Sequence, residues 1–303
     1  MGIINRGAFG KSLWPGVNKF YGDAYNELPQ EFMDLYAKNT SDKAFEEDVG
    51  ISGFGLASTL NEGESVNYDA MQQGFVTRYN HTKFGIGFII TSEMIDDDQY
   101  MIVAKKRAQA LAFSMRQTKE IVAANVFNRA FNSSYTGGDG LELCSTAHLN
   151  VSGGTWANEL AVSADLSEAA LEQASIDVMN YTNDRGLRIA VMPQTLHIPP
   201  ALVFEAERIL KSPLQAGNSN NDINAIKMMG KFSGGVKINH YFTDTDAWFI
   251  RTNIPDGMKY WERKADSFSE DNDFDSDNLK YKAIARYTFG WTDPRGVYGS
   301  PGA

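Results

Sequence analysis

Between Gly87 and Gly137 the chain contains neither glycine nor proline, and that run restricts what the rest can build. Within it Met101, Ala104, Ala108, Leu111, Met115, Val122 and Val126, with Thr118 filling one slot, recur in steps of three and four. Such spacing lays one stripe along a helix. Glu93 and the Asp96, Asp97, Asp98 run stand where the positive end of a helix dipole favours carboxylates, and Arg129 stands near the negative end. The pattern predicts one long helix over residues 91–131, on the order of 50 Å at ~1.5 Å per residue. Lys105, Lys106, Arg107, Gln109, Arg116, Gln117, Lys119 and Glu120 occupy the opposite side, which reads as a solvated face and leaves one face for a core.

A chain of 303 residues, 43% hydrophobic and 22% charged, can bury a substantial core in one large or two modest domains. Its net charge of -10 argues against affinity won by neutralising phosphates or anionic lipids. A lone Cys144 excludes an internal disulfide framework and a Cys-rich zinc site, and fits a reducing compartment. No run of ~18 apolar residues could span a bilayer and no signal-peptide block opens the chain, so a soluble protein without membrane contact is expected. Gly2 follows Met1, but Arg6 stands where a myristoylation signal needs Ser or Thr.

From Met1 to about Ala44 isolated aromatics, Trp14 among them, sit among Gly, Asn and Pro without a sustained period. This reads as an arm that needs another surface, with a short helix possible over Pro29 to Tyr36. Phe45 to Ile90 is Gly-rich, β-prone at its ends and polar over Asn61 to Gln73, the pattern of a long two-stranded hairpin with a polar tip. A ribbon of two strands is marginal alone in water and must lie on something. After the long helix, Asp165 and Glu168 form a capping-box-like pair before Leu171, Ala174, Val178 and Tyr181. Arg188 to Met192 reads as a short strand, and Pro200 opens a helix with Leu202, Ala206 and Ile209 on one face. Strands are expected at Val236 to Phe242, Trp248 to Arg251, Met258 to Glu262 and Leu279 to Phe289. The fold class is α+β.

Candidate chemistry is thin. Gly10-Lys11-Ser12 ends like a phosphate-binding loop, but Asn5 stands where the first Gly belongs and no strand precedes it. Gly53-Phe54-Gly55 could open a dinucleotide fingerprint, yet Ser58 replaces the third Gly and no helix follows. Cys144 and His148 share helical spacing, and the remaining histidines are scattered. Asp271, Asp273, Asp275 and Asp277 alternate along one face of a strand, but Ser276 and Lys282 stand where a calcium loop needs Gly and Glu. A solvated loop is the plainer reading. Lys105-Lys106-Arg107 is the one triple basic run, a weak hint of polyanion contact. No catalytic, cofactor-binding or metal residues emerge.

The order of arm, long hairpin, long helix, compact α/β segment and β-rich return resembles the major capsid proteins of tailed bacteriophages, the Hong Kong 97-like fold. Phe84 to Asp98, FGIGFIITSEMIDDD, looks like that family's strand entering its spine helix. Val191 to Ser212 is similar to the strand, proline and helix unit of its axial domain. Asp246 to Ile250 matches the strand after it, and Tyr281 to Ser300 looks like the closing strand and turn of the Mu-like head subunit group.

The resemblance implies an N-terminal arm at 1–44, an extended hairpin loop at 45–90, a peripheral domain with the spine helix at 91–160 and 247–303, and an α/β axial domain at 161–246. It implies no enzyme and no cofactor, but a subunit self-assembling into hexamers and pentamers of an icosahedral head around the phage genome. The product would be a virion capsid assembled in the host cytoplasm. Val66, Tyr68 and Met71 at the hairpin tip and Trp14 in the arm are the candidate assembly contacts. Implied partners are further copies of the chain, a separate scaffolding protein, a portal, a possible decoration protein, and packaged DNA through weak non-specific contacts. Some members cross-link through a hairpin lysine, whereas here no Lys lies between Lys43 and Lys83, which implies a shell held without covalent links. An encapsulin-like nanocompartment shell is the alternative, and a metal-dependent enzyme using Asp271 to Asp277 is the reading from another class.

Overall fold

The Gly- and Pro-free run folds as a single helix, Tyr100–Asn128, of 29 residues, roughly 44 Å long at 1.5 Å per residue. The computed structural model describes residues 19–27, 29–91, 93–94, 100–215, 222–273 and 278–303, with backbone alone over 100–103. Asp96, Asp97 and Asp98 therefore fall outside the described residues. Residues 19–25 are helical. The helices that follow are α1 (Phe32–Leu35), α2 (Tyr100–Asn128), α3 (Glu168–Met179), α4 (Val203–Lys211) and α5 (Ala225–Met228). The strands are β1 (Ala37–Thr40), β2 (Phe45–Ile51), β3 (Gln73–Asn80), β4 (Thr82–Ile90), β5 (His148–Leu149), β6 (Thr155–Trp156), β7 (Pro193–Ile198), β8 (Val236–Ile238), β9 (Trp248–Thr252), β10 (Met258–Asn272), β11 (Leu279–Trp291) and β12 (Val297–Ser300).

Two four-stranded sheets organise the described residues. One has the order β1-β10-β11-β4, with β1 parallel to β10 and the other neighbours antiparallel. The other has the order β12-β9-β7-β8, with β7 and β8 parallel. Under the first lies a core in which Leu111, Ala112, Met115, Ala123, Ala124 and Phe127 of α2 meet Tyr260, Ala283, Ala285 and Tyr287. Alanines on both partners let the helix axis come close to the strands. The second sheet packs with Leu171, Ala174 and Val178 of α3 and with Ala206 and Ile209 of α4 around Leu196, Trp248 and Ile250.

The supposed solvent face of α2 is the main correction to the sequence reading. Arg116 (5% exposed), Lys119 (4%) and Glu120 (2%) are buried, because residues 19–36 fold back over them. Thus the described part of the arm finds the surface it needs on its own subunit. The basic run is also largely committed: Arg107 donates to the Ile89 carbonyl at 2.8 Å, and the Lys105 ammonium lies 4.7 Å from the Phe20 ring centroid.

The segment expected as one hairpin over 45–90 divides. β2 pairs with β3 from Phe45↔Asn80 to Ile51↔Gln73, whereas Thr82–Ile90 leaves the ribbon and adds to β11. A period of two cannot tell which partner a strand takes. Ser167, not Asp165, caps α3, its side chain accepting from the Ala170 amide. The strand expected over Arg188 to Met192 lies at Pro193–Ile198 instead, with Arg188 making only an isolated bridge to Thr182. β10 runs on to Asn272, well past Glu262, because β11 extends to match it.

Candidate assembly surfaces

The ribbon is anchored at its root by charge. The Lys259 ammonium sits 2.7 Å from Asp48 and 2.9 Å from Asp256. Burial works to lower the Lys259 pKa, but the hydrogen bonds to those carboxylates outweigh it and the value is raised. Asp48 also accepts from Thr292 Oγ1 at 2.7 Å, and Tyr79 Oη shares a 2.7 Å hydrogen bond with the same Thr292. Between Val49 and Ile51 the ladder slips. There a Cβ on Gly74 would come within 2.9 Å of the Gly50 backbone, so only glycine lets the two strands approach so closely.

Beyond the root the chain from Ser52 to Gln72 has no regular strand, and its large apolar side chains point outward. Of the expected contacts, Tyr68 is 97% exposed, with Val66 and Met71 also exposed; Trp14 lies outside the described residues. The structure brings Val66, Tyr68 and Met71 onto one projecting element together with Phe54, Leu56 and Leu60. The sequence reading passed over these last three because they precede the polar tip. Their place as large apolar side chains among small residues was the available signal. A second exposed apolar group, Phe204, Ile223, Met228 and Met229, gathers around α4 and α5.

The inner surface of the tip is polar and tied to the body. Arg185, in the turn after α3, donates from Nη2 to Asp69 Oδ1 at 3.1 Å and to the Ala70 carbonyl at 2.7 Å, and from Nε to the Gly53 carbonyl at 3.2 Å. Asp69 Oδ2 accepts from the Gly55 amide at 2.8 Å.

The arm crosses α2 through a buried polar seam. Glu120 accepts from the amides of Glu31 at 3.2 Å and Phe32 at 3.0 Å, the free donors that open α1. Burial pushes the Glu120 carboxyl up to about 7, and the Phe32 amide only partly offsets it. Arg116 donates to the carbonyls of Tyr25 and Pro29. Lys119 pairs with Asp266, which also accepts from Tyr25 Oη at 2.6 Å.

The described carboxylates are largely paired. Under the ribbon root a cleft of about 520 Å³ is lined by Asp48, Asp139, Asp184, Asp256 and Asp293. Each is already held: Asp48 and Asp256 by Lys259, Asp184 and Asp293 by Arg295 at 3.4 Å, and Asp139 by His148 at 2.6 Å. Among the described residues no group of three or more His, Cys, Asp or Glu side chains could hold a metal ion. Cys144 is wholly buried, and burial holds its thiol well above the usual range. Of the alternating aspartates, Asp271 lies in the last residues of β10 and Asp273 pairs with Lys280 at 2.8 Å; Asp275 and Asp277 lie outside the described residues. No helix of the described residues is long and apolar enough to cross a membrane.

A family model described as phage capsid protein matches residues 74–300, while no curated protein matches. The fold is similar to the virus-like particle from Pyrococcus furiosus, at 12% identity and TM-score 0.52 over 94% of this chain and 97% of that one. It is similar to Mycobacterium phage Patience, at 10% identity and TM-score 0.51 over 98% and 88%. The capsid of Myoviridae phage XM1 gives 10% identity and TM-score 0.50 over 91% and 92%. At these identities the likeness is one of fold.

Proposed function

The chain belongs to the phage capsid protein family, and from that premise we propose how this structural shell subunit is joined to its copies and divided into working parts. The observation that carries the reading is the ribbon: two strands, charge-anchored at the root, whose tip turns Leu56, Val66 and Tyr68 to solvent. A monomer gains nothing from that exposure, whereas a neighbouring copy that covers each side chain gains roughly 1.5 to 3 kcal/mol for a fully buried large one. Val66, Tyr68 and Met71 are the proposed contacts, joined by Leu56, and Trp14 is proposed as an arm contact.

In this reading residues 1–44 act as the arm, 45–90 as the hairpin loop, 91–160 with 247–303 as the peripheral domain, and 161–246 as the axial domain. The subunit forms hexamers and pentamers, uses a separate scaffolding protein and a portal, and touches packaged DNA weakly. Assembly takes place in the host cytoplasm. Its role is packing and not catalysis, in keeping with carboxylates that are already paired. A family model of phage capsid proteins favours a phage head over an encapsulin-like compartment.

Electron microscopy and sedimentation of the purified protein across concentration and salt, alone and with a co-expressed scaffold, test the reading. Rings or closed shells are expected. Monomers under all of these conditions would overturn it.

A further inference from the structure

Resting on that reading, the tip has two faces with different tasks. Outward stand Leu56 at 84% and Tyr68 at 97% exposure. Inward, Gly53, Asp69 and Ala70 meet one side chain, Arg185. The bonds bracket the tip: Gly53 lies on the chain leaving the root, and Asp69 and Ala70 lie on the chain returning to it. One planar guanidinium thus closes a loop that has no strand pairing of its own. Arg185 is itself fixed from below. Its amide donates to Asn183 Oδ1 at 2.9 Å, and the turn closes through Gly186, whose φ of 77° lies in the left-handed region that favours glycine.

We propose that Arg185 is a latch that holds the ribbon tip docked on its own subunit before assembly, so that the apolar face is already ordered when a second copy arrives. A tip held in one pose loses little conformational freedom on burial, whereas a free tip must be ordered at that moment. The latch is mixed in character. The Asp69 pair is half exposed, with side chains 23% and 45% accessible, so salt weakens it, while the two carbonyl contacts are less sensitive. Lysine can replace the charge but not the three-way geometry.

The test is amide hydrogen exchange on the unassembled subunit, together with the subunit concentration at which shells form. In Arg185→Ala, exchange of the Gly55 and Gln72 amides, which are hydrogen-bonded in the docked tip, should rise at least tenfold with exchange elsewhere unchanged, and the threshold for shells should rise roughly tenfold. Arg185→Lys should fall between, and added salt should speed exchange of the same amides in the unaltered chain. Should Arg185→Ala fail to fold, Asp69→Ala reads the latch from the ribbon side. Unchanged exchange, or faster exchange with an unchanged or lowered threshold, overturns the proposal. A subunit whose tip, Asn61 to Gln73, is replaced by a short Gly-Ser turn separates the two ideas. If that variant builds no shells while Arg185→Ala builds them normally, the latch alone fails. If both build normal shells, the interlocking ribbon fails.

Discussion

The long helix and the ribbon tip break the usual placement rule in opposite directions. α2 buries Arg116, Lys119 and Glu120, whereas the tip exposes Leu56, Val66 and Tyr68. Buried charge is tolerable only when paired and hydrogen-bonded. Here the partners come from the same chain: Tyr25, Glu31, Phe32 and Asp266. Exposed apolar surface has the reverse logic, since none of the described residues covers it. On the proposed reading the seam serves folding and the tip serves assembly, so variants in the two regions should fail in different experiments.

The largest expected effect is at the tip. Replacing Asn61 to Gln73 by a Gly-Ser turn should abolish closed shells and leave helix content and cooperative melting nearly unchanged, measured by circular dichroism and size-exclusion chromatography on one preparation. An unfolded product would place the tip in the subunit's own core and dissolve the contrast.

Next comes the seam. Lys119→Ala leaves the Asp266 carboxylate, whose Oδ1 already has no partner, buried without its cation. Losing one partner of a buried pair costs about 3–5 kcal/mol. Denaturant unfolding should show that loss, and the double variant Lys119→Met with Asp266→Leu should recover much of it. A cost below about 1 kcal/mol for Lys119→Ala would mean that the seam is not structural.

Glu120 gives the same region a pH dependence. Its folded pKa of about 7 lies above the ordinary glutamate value of 4.5, so the folded state binds the proton more tightly. The stabilisation is present below 4.5 and is lost as pH rises through about 7. Over that window stability should fall on the order of 1–3 kcal/mol from this group, and Glu120→Gln should flatten the slope. A slope identical in the variant would assign the titration elsewhere.

How much of this was readable in the sequence follows from how far apart the partners lie. The Gly- and Pro-free run betrayed α2, and the β-rich runs at Trp248 and Leu279 betrayed β9 and β11, because each pattern is local. Burial of Lys119 could not be seen, since Asp266 stands 147 residues away and a lysine at a polar helix position looks the same exposed or paired. The destination of Thr82–Ile90 was hidden for the same reason, as β4 serves the sheet rather than the ribbon. Arg185 gave no signal in the sequence, because its partners, Gly53 and Ala70, lend it carbonyls that no side-chain pattern encodes.

The smallest effect on the subunit, and the sharpest test of the contrast, is Tyr68→Ala. A side chain 97% exposed contributes almost nothing to its own fold, and surface substitutions of this kind stay within about ±0.5 kcal/mol. If the same ring is buried on a neighbour, its loss removes roughly 1.5–3 kcal/mol per contact, enough to raise the threshold for shells at least tenfold. Unfolding by denaturant and light scattering against subunit concentration measure the two quantities separately. Destabilisation beyond about 1 kcal/mol would place Tyr68 on the folding side of the comparison with Lys119. An unchanged threshold would remove Tyr68 from the contact surface and leave Leu56, Val66 and Met71 to carry it.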